Sequence, residues 1–204
     1  MRNPFAKRVD YQALDERELV ALAKDDMEAF GELYERFMQK IYSYIYYRTG
    51  NAHDAEDLTA KVFFRALSHI GAYVDKGAPF QAWLYRIAHN LVANWHRDQG
   101  RRKIIALDDY VAHSLKSDAP DRLTEEREEQ DQLMQALRRL PDDRQQLILL
   151  KFVEQMSNAE IGEIMGRTEG AIKSLYHRTL LALREEMEID LTSDRNRRLD
   201  GSEG

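Results

Sequence analysis

Apolar residues recur three and four positions apart along residues 15–98, without sustained alternation of apolar and polar residues. This spacing predicts amphipathic helices rather than strands, because it gathers apolar side chains on one helical face. A first helix is predicted between Asp15 and Lys24, since Asp15 can cap it and Glu18 follows three residues later. Two further helices are predicted over about 52–70 and 79–98. A fourth helix is predicted between the first helix and these two. Its apolar face comprises Phe30, Leu33, Tyr34, Phe37, Ile41 and Tyr44.

The helical pattern returns after residue 126, with one predicted helix that ends at Pro141 and another that follows it. Ser157 and Glu160 then form a capping box, which begins a short helix ending at Gly166. A last helix begins near Thr168. A short helix, a glycine turn and a second helix with one buried stripe are typical of a helix-turn-helix. The predicted stripe consists of Ile172, Leu175, Tyr176, Thr179 and Leu183.

Residues 104–126 separate the two helical halves and carry six acids against two bases, together with Pro120. This composition favours a linker without a packed core. The sequence therefore predicts an all-α fold of two small helical domains joined by a flexible acidic linker. The predicted segments are an N-terminal extension (1–14), a first domain (15–103), the linker (104–126), a second domain (127–188) and a disordered tail (189–204).

The composition indicates a cytoplasmic protein. None of the 204 residues is cysteine, which excludes disulfides and cysteine-ligated zinc and suits a reducing compartment. The longest purely aliphatic run, Leu147–Leu150, is far shorter than the roughly 18 apolar residues of a membrane span. The N-terminal residues 1–10 have basic side chains but no apolar stretch behind them, so they do not indicate a secretory signal. We expect no membrane insertion.

The sequence offers little for catalysis. Its six histidines show no metal-ligand spacing, and neither a glycine-rich phosphate loop nor a nucleophile elbow occurs. The acid pairs at 108–109 and 142–143 lie in the linker and at a helix start, where solvated acids are expected. We therefore expect no enzymatic activity, no metal site and no cofactor.

The net charge of −6 argues against a nucleic-acid partner, because phosphate binding depends on lysine and arginine. Counted by segment, however, residues 84–103 carry five bases and one acid, and residues 163–184 carry four bases and two acids, giving +4 and +2. The first segment suits separated strands, and the second suits the major groove. A solvated basic helix end and a plain helical hairpin remain open as simpler interpretations.

Three groups of motifs occur in order along the chain. The first is Asp54-Ala55-Glu56-Asp57-Leu58-Thr59 with Val62-Phe63-Phe64-Arg65-Ala66-Leu67, and the second is Phe80–Leu91. The third combines Leu140-Pro141, Ser157–Gly162, Gly170–Ser174, His177-Arg178 and Leu183-Arg184. Through these motifs, residues 15–186 resemble the extracytoplasmic-function (ECF) sigma factors of bacterial RNA polymerase. Members of that family join a sigma region 2 domain to a sigma region 4 domain.

The resemblance implies a protein that binds core RNA polymerase and directs promoter recognition, strand opening and transcription initiation. It also suggests an anti-sigma factor as a partner, besides core polymerase and promoter DNA. The implied polymerase-binding residues are Asp54, Glu56, Asp57, Lys61 and Arg65. The implied minus-ten DNA residues are Arg86, His89, Asn90, Asn94, Arg97, Arg101 and Arg102. The implied minus-thirty-five DNA residues are Arg167, Thr168, Glu169, Gly170, Lys173, Ser174, His177 and Arg178.

The chain departs from the family pattern at two surfaces. Ala60 and Lys61 stand where the family usually has a glutamine and an acid, which alters the polarity of the docking face. Ala171 and Leu175 stand where the recognition helix often carries threonine and arginine, which leaves fewer polar contacts. Two alternatives stay open: a stand-alone helix-turn-helix regulator that binds operators without polymerase, and a helical adaptor that binds only proteins.

Overall fold

The described part of the chain is helical and contains no β-strand, which confirms the all-α prediction. A computed structural model describes residues 9–75, 77–99 and 124–200. Short 3-10 helices cover Tyr11–Ala13 and Ile70–Ala72, and a π-helical turn covers Leu149–Val153. The α-helices are α1 (Glu16–Leu22), α2 (Met27–Thr49), α3 (Ala52–His69), α4 (Phe80–Gln99), α5 (Thr124–Arg139), α6 (Asp142–Ile148), α7 (Asn158–Met165) and α8 (Glu169–Asp200).

Local polar residues set the helix ends in the first half. The Asp15 side chain accepts a hydrogen bond from the Glu18 amide at 2.8 Å, and the Glu18 carboxylate accepts one from the Asp15 amide at 3.1 Å. The predicted capping box of α1 is thereby confirmed. Gly50 ends α2 in the left-handed region with φ 64°, and Asn51 caps α3. Glycine suits this turn because it has no β-carbon to crowd the backbone.

The predicted apolar face of α2 packs against α3 and α4. Five of its six predicted residues are buried, whereas Tyr34 remains 38% exposed. Tyr34 packs its ring edge-on against Phe63, with the ring centroids 4.8 Å apart. Partial exposure suits a tyrosine, because its hydroxyl can stay in water while the ring covers an apolar neighbour.

The second half forms the predicted helix-turn-helix from α7 and α8. The Ser157 and Glu160 capping box begins α7, and Gly166 ends it with φ 66°. Ile161, Ile164, Ile172 and Thr179 are buried, so the predicted stripe of α8 faces inward. A smaller apolar cluster of α5, α6 and α8 supports this pair of helices, and it consists of Leu137, Leu140 and Ile148 with Leu133, Met134, Ala182 and Leu183.

The two halves share one continuous buried cluster. Leu147, Leu150 and Ile161 from the second half belong to the same cluster as Leu84 and Ala88 of α4. Helix α7 packs directly against α4. The sequence predicts two domains joined by a linker, but it does not predict that these domains pack together.

Three sequence predictions differ from the structure. The first two concern segment limits: α5 begins at Thr124, inside the predicted linker, and α8 continues to Asp200 through most of the predicted disordered tail. No glycine or proline interrupts residues 171–200, so nothing in that stretch breaks the helix. Residues 104–123 and 201–204 lie outside the described residues.

The third difference concerns His96, which lies within the basic segment 84–103 that the sequence assigns to a DNA-binding surface. His96 is only 5% exposed. It follows buried Val92 by four residues, which returns it to nearly the same helical face.

Arg36 attaches part of the predicted N-terminal extension to α2. Its guanidinium donates hydrogen bonds to the backbone carbonyls of Tyr11 at 2.8 Å, Gln12 at 3.1 Å and Leu14 at 3.0 Å. It also pairs with Glu32 one turn earlier, at 2.9 Å. Residues 11–14 therefore lie against the first half.

Candidate polymerase and promoter interfaces

Helix α3 presents the five residues predicted to bind polymerase. Its apolar row, Leu58, Val62 and Ala66, is buried against the other helices. Glu56, Asp57, Lys61 and Arg65 are exposed, and Asp54 is half-buried near the capped start of the helix. Asp57, Lys61 and Arg65 follow one another at intervals of four, so they form one row along the outer surface.

Phe64 adds an apolar group to this outer surface of α3. Its residue is 72% exposed, whereas the preceding Phe63 is 5% exposed. Successive residues on a helix point about 100° apart, so only one of two adjacent phenylalanines can face the core. The Phe63-Phe64 pair is thus a sequence signal for an exposed aromatic beside Lys61, which the charge pattern alone does not reveal.

Helix α4 carries five of the seven residues predicted for the minus-ten element. Arg86, Asn90 and Arg97 are exposed, and His89 and Asn94 are half-buried. Arg101 and Arg102 lie outside the described residues. The five residues that the structure describes therefore lie on one helix.

Glu16 of α1 holds the beginning of α4. The Phe80 amide, at the first position of α4, donates a hydrogen bond to the Glu16 carboxylate at 2.8 Å. Burial raises the pKa of the Glu16 carboxyl above its ordinary value, although the Phe80 hydrogen bond acts in the opposite direction. Glu16 thus orients the helix of the minus-ten residues without belonging to that set, and sequence analysis missed it.

A groove of about 430 Å³ lies beside Arg86. Tyr73 and Trp83 contribute aromatic rings whose centroids lie 5.0 Å apart, and Glu163 of α7 closes one side. Trp83 is half-buried and packs against the buried cluster.

The helix-turn-helix exposes all eight residues predicted for the minus-thirty-five element. The turn is tight because a β-carbon on Gly162 would lie 2.6 Å from the Arg167 carbonyl oxygen. Thr168 caps α8 by accepting a hydrogen bond from the Ala171 amide at 3.2 Å. The structure thus brings these residues together on the turn and the first three turns of α8.

Two basic residues of this surface form ion pairs within the second half. Arg167 lies 3.1 Å from Asp143, and Lys173 lies 2.7 Å from Glu169 one turn earlier. Exposed pairs of this kind contribute about 0–1 kcal/mol. Both cations can therefore exchange a carboxylate for a phosphate at little cost.

Gln146 joins the two halves through hydrogen bonds that sequence analysis missed. Its side-chain amide nitrogen lies 3.1 Å from the Tyr44 hydroxyl of α2 and 2.7 Å from Nδ1 of His89 on α4. Gln146 is 3% exposed and Tyr44 is fully buried. A glutamine that directly precedes the apolar run Leu147–Leu150 is the one sequence signal for this contact.

Tyr44 lies at the centre of this contact. Its hydroxyl also accepts a hydrogen bond from Arg48 Nη1 at 3.3 Å, and its ring packs edge-on against Tyr85. Burial raises the pKa of the Tyr44 hydroxyl, while the nearby Arg48 charge lowers it to a smaller extent. The hydroxyl is therefore neutral at physiological pH.

Two family descriptions match the chain in the order of its two halves. Sigma-70 region 2 matches residues 33–102, and sigma-70 region 4 matches residues 130–183. In the described part of the chain, no helix is long and apolar enough to cross a membrane.

Curated relatives match across both halves. The ECF RNA polymerase sigma factor BldN of Streptomyces coelicolor is 37% identical over 167 residues, which cover 81% of this chain and 63% of BldN. The ECF RNA polymerase sigma factor SigW of Bacillus subtilis is 32% identical over 174 residues, which cover 80% of this chain and 91% of SigW. The chain thus spans less than two thirds of BldN but most of SigW.

Among solved structures, the sigma factor RpoE of Bartonella quintana in complex with the anti-sigma factor NepR matches with a TM-score of 0.57. The identity is 19%, and the match covers 79% of this chain and 98% of that one. This likeness shows a shared fold.

Proposed function

The chain belongs to the ECF sigma factors of bacterial RNA polymerase, and from this membership we propose that it binds core polymerase and directs promoter recognition, strand opening and transcription initiation. The observation that carries the proposal is the order of the two halves. In this chain the sigma-70 region 2 match at residues 33–102 precedes the region 4 match at residues 130–183, and the SigW match covers 91% of that relative. The proposed domains are still those predicted from the sequence, 15–103 and 127–188, although the helices of the second one begin at Thr124 and continue to Asp200.

In this proposal, α3 docks on polymerase. Its exposed row of Asp57, Lys61 and Arg65 offers charges of both signs, and Phe64 offers apolar area beside them. Aromatic and charged groups of this kind contribute most to binding when a partner excludes water from them. Lys61 gives the row a basic centre, so we expect an acidic partner group there.

Helix α4 then holds separated promoter strands, and α8 anchors the upstream duplex. Arg86, Asn90 and Arg97 can neutralise phosphates and bind base edges of unpaired nucleotides. At the start of α8, the amides of Glu169 and Gly170 can bind a phosphate, while Lys173, His177 and Arg178 reach further along the groove. The chain itself catalyses no reaction in this proposal, and it acts in the cytoplasm, where polymerase is found.

An anti-sigma factor is a further proposed partner. The Bartonella quintana RpoE structure, which shares this fold, contains one. Coprecipitation from the host tests both proposed partners. Polymerase subunits, an inhibitory protein or neither will be recovered with the chain.

The deciding experiment is run-off transcription with purified core polymerase and a library of ECF-type promoters. We expect transcripts that core polymerase alone does not produce. A stand-alone regulator would bind DNA but add no transcript, and an adaptor would show no salt-dependent DNA affinity with core present. The family membership disfavours both alternatives.

A further inference from the structure

We propose that α1 positions the α3–α4 connection (residues 73–75 and 77–79) and thereby sets the shape of the groove beside Arg86. The positioning residues are Glu16 and Arg17, neither of which belongs to the residues predicted to bind DNA. The inference rests on the proposed function, which places the minus-ten strand against Arg86. It adds that the first helix of the chain influences how well one base is distinguished from another at this groove.

The α3–α4 connection separates two cavities. The groove of about 430 Å³ that contains Arg86 lies on one side, and a cavity of about 410 Å³ lined by α1 lies on the other. Tyr73, Ala78 and Pro79 line both of them. The connection is therefore a thin wall of the groove, and the cavity beside α1 leaves space into which this wall can move.

Two side-chain hydrogen bonds shape the connection locally. The Tyr73 hydroxyl donates to the Ala78 carbonyl at 3.3 Å, and the Gly77 amide donates to the Asp75 carboxylate at 2.8 Å. Gly77 has φ 90°, a conformation that glycine adopts without steric cost. These bonds form a turn but do not fix its place on the protein, because all four groups lie within the connection.

Arg17 joins this turn to α1. Its Nε lies 3.3 Å from Oδ2 of Asp75, while Oδ1 of Asp75 accepts the hydrogen bond from the Gly77 amide. One carboxylate therefore contacts both α1 and the turn. The Arg17 side chain is 82% exposed, so water and salt screen the pair and its effect on the wall is modest.

Glu16 fixes the other end of the connection, where α4 begins. The Phe80 amide donates to Oε1 of Glu16 at 2.8 Å. The first amides of a helix need acceptors from outside the helix, and a side-chain oxygen just before the helix usually supplies one. Ala78 and Pro79 have no side-chain oxygen, so α4 takes this acceptor from α1 instead. Two adjacent residues of α1 thus hold the connection at Asp75 and at Phe80.

The aromatic part of the groove depends on where the connection lies. The Tyr73 ring centroid lies 5.0 Å from that of Trp83 and 5.5 Å from that of Phe80. Arg86 follows Trp83 by three residues, so the rings and the guanidinium share one side of α4. Unpaired bases stack on aromatic rings, whereas phosphates respond mainly to charge. Loosening the connection should therefore reduce discrimination between bases more than it reduces attraction for the strand.

Base discrimination by the holoenzyme tests this role. Forked probes carry each of the four bases in turn at the unpaired minus-ten positions, and anisotropy gives the ratio of highest to lowest affinity. Arg17→Gln should lower this ratio by about two- to fivefold, as expected for an exposed ion pair, without changing affinity for core polymerase or upstream duplex. Arg17→Lys keeps the charge and should restore the ratio. Lys40→Gln, at an exposed lysine of α2, is the matched control and should leave it unchanged.

A second substitution tests whether Arg17 acts through Asp75. Asp75→Asn keeps an oxygen for the Gly77 amide but loses the charge that pairs with Arg17. Each single variant should lower the ratio similarly, and the double variant should lower it no further, because both remove the same contact. Additive losses would overturn the ion pair as the positioning contact. An unchanged ratio in a folded Arg17→Gln protein would overturn the role of Arg17.

Hydrogen exchange of backbone amides tests the positioning in the free full chain, without polymerase or DNA. Arg17→Gln should raise exchange at Gly77, and Glu16→Ala should raise it at Phe80 by about tenfold, the effect of losing one hydrogen bond. Glu16→Gln should restore protection at Phe80, because its amide oxygen can accept the same bond. Faster exchange throughout the chain would indicate general destabilisation and would contradict a positioning role.

The two proposals fail in different ways. If the wild-type chain gave no run-off transcript although its Gly77 and Phe80 amides responded to the substitutions as expected, the proposed function would be rejected and the contacts of α1 would stand as structural only. If the chain supported transcription but neither exchange nor base discrimination changed in Arg17→Gln, the positioning role would be rejected alone.

Discussion

At the residue scale, Gln155 has a left-handed backbone conformation, which is unfavourable for a residue with a β-carbon. Its φ is 53°, and no other non-glycine residue in the described part of the chain has a positive φ. It follows the π-helical turn, where the Met156 amide bonds back to the Leu150 carbonyl at 3.0 Å and thereby fixes the turn. A left-handed conformation costs a residue with a β-carbon about 1–2 kcal/mol.

Gln155→Gly should therefore stabilise the protein. Glycine removes the steric cost but adds flexibility to the unfolded chain, so we expect a net gain of about 0.5–1 kcal/mol. Urea denaturation monitored by circular dichroism measures the change. Gln155→Ala is the control, because alanine keeps the β-carbon and should leave stability nearly unchanged. Equal gains from both substitutions would show that the backbone conformation is not the cause.

Glu16 makes stability depend on pH. Its carboxyl has a raised pKa because of burial, so the folded state binds the proton more tightly than the unfolded state does. Stability conferred by this group is therefore complete below the ordinary value of 4.5 and declines as the pH rises through the folded-state pKa. The hydrogen bond from the Phe80 amide persists in either protonation state.

Glu16→Gln should remove this decline while keeping the cap, since the amide oxygen can also accept from the Phe80 amide. We expect the difference in stability between variant and wild type to grow in favour of the variant as the pH rises above 4.5. Thermal denaturation across pH 4 to 7 provides the measurement, with Glu35→Gln, at an exposed glutamate of α2, as the control. A difference that stayed constant across this range would contradict the raised pKa.

At the element scale, α8 combines a buried stripe with an exposed basic surface. Ile172 and Thr179 are fully buried, whereas Lys173, His177 and Arg178 point outward. Since the two sets share one helix, changes on the outer set should leave folding intact. This separation allows DNA binding to be tested without disturbing the core.

Lys173→Ala together with Arg178→Ala should weaken upstream duplex binding and leave core polymerase binding unchanged. Loss of two phosphate contacts should also reduce the slope of log affinity against log salt by about 2. Anisotropy titrations of holoenzyme on upstream duplex at several salt concentrations measure both effects. Lys24→Ala together with Lys40→Ala, at two exposed residues of the first half, supplies a charge-matched control. Equal loss of polymerase binding would indicate misfolding or a wrongly assigned face.

Elements with strong local signals could be predicted from the sequence. The capping boxes at Asp15 and Ser157 and the apolar periods of α2 to α4 specify helices through residues close in the chain. Contacts between the halves could not be predicted, because Gln146 meets Tyr44 only after about a hundred residues of intervening chain have folded. The same limit applies to Glu16, whose partner Phe80 lies in another helix.

The candidate site residues also differ in whether the sequence alone predicts their exposure. Exposed residues of α3 and α8 follow from the helical period once the buried stripe is known. Coverage of Arg86 and His89 by the second half depends on tertiary packing, as does the burial of His96. Sequence therefore indicates which residues can bind a partner, whereas the structure indicates which of them are accessible in the free chain.

At the scale of the whole molecule, two physical effects should weaken DNA binding by the free chain. One is the net charge of −6, to which the acids of residues 104–126 contribute while the DNA-binding segments remain basic. The other is the packing of α7 on α4. They differ in salt dependence, because charge repulsion is screened over about 10 Å at about 0.1 M salt whereas apolar packing is not.

Replacing Asp108, Asp109, Asp118 and Asp121 by asparagine should separate these effects, since it raises the net charge from −6 to −2 without touching either DNA-binding helix. We expect the free variant to bind duplex DNA more tightly at about 50 mM salt and to lose most of that gain at about 200 mM salt. Anisotropy titrations of the variant and the wild type at both salt concentrations provide the comparison. If the linker variant kept its full gain at high salt, repulsion by the acids would not explain the weak binding, and the packing of α7 on α4 would account for it.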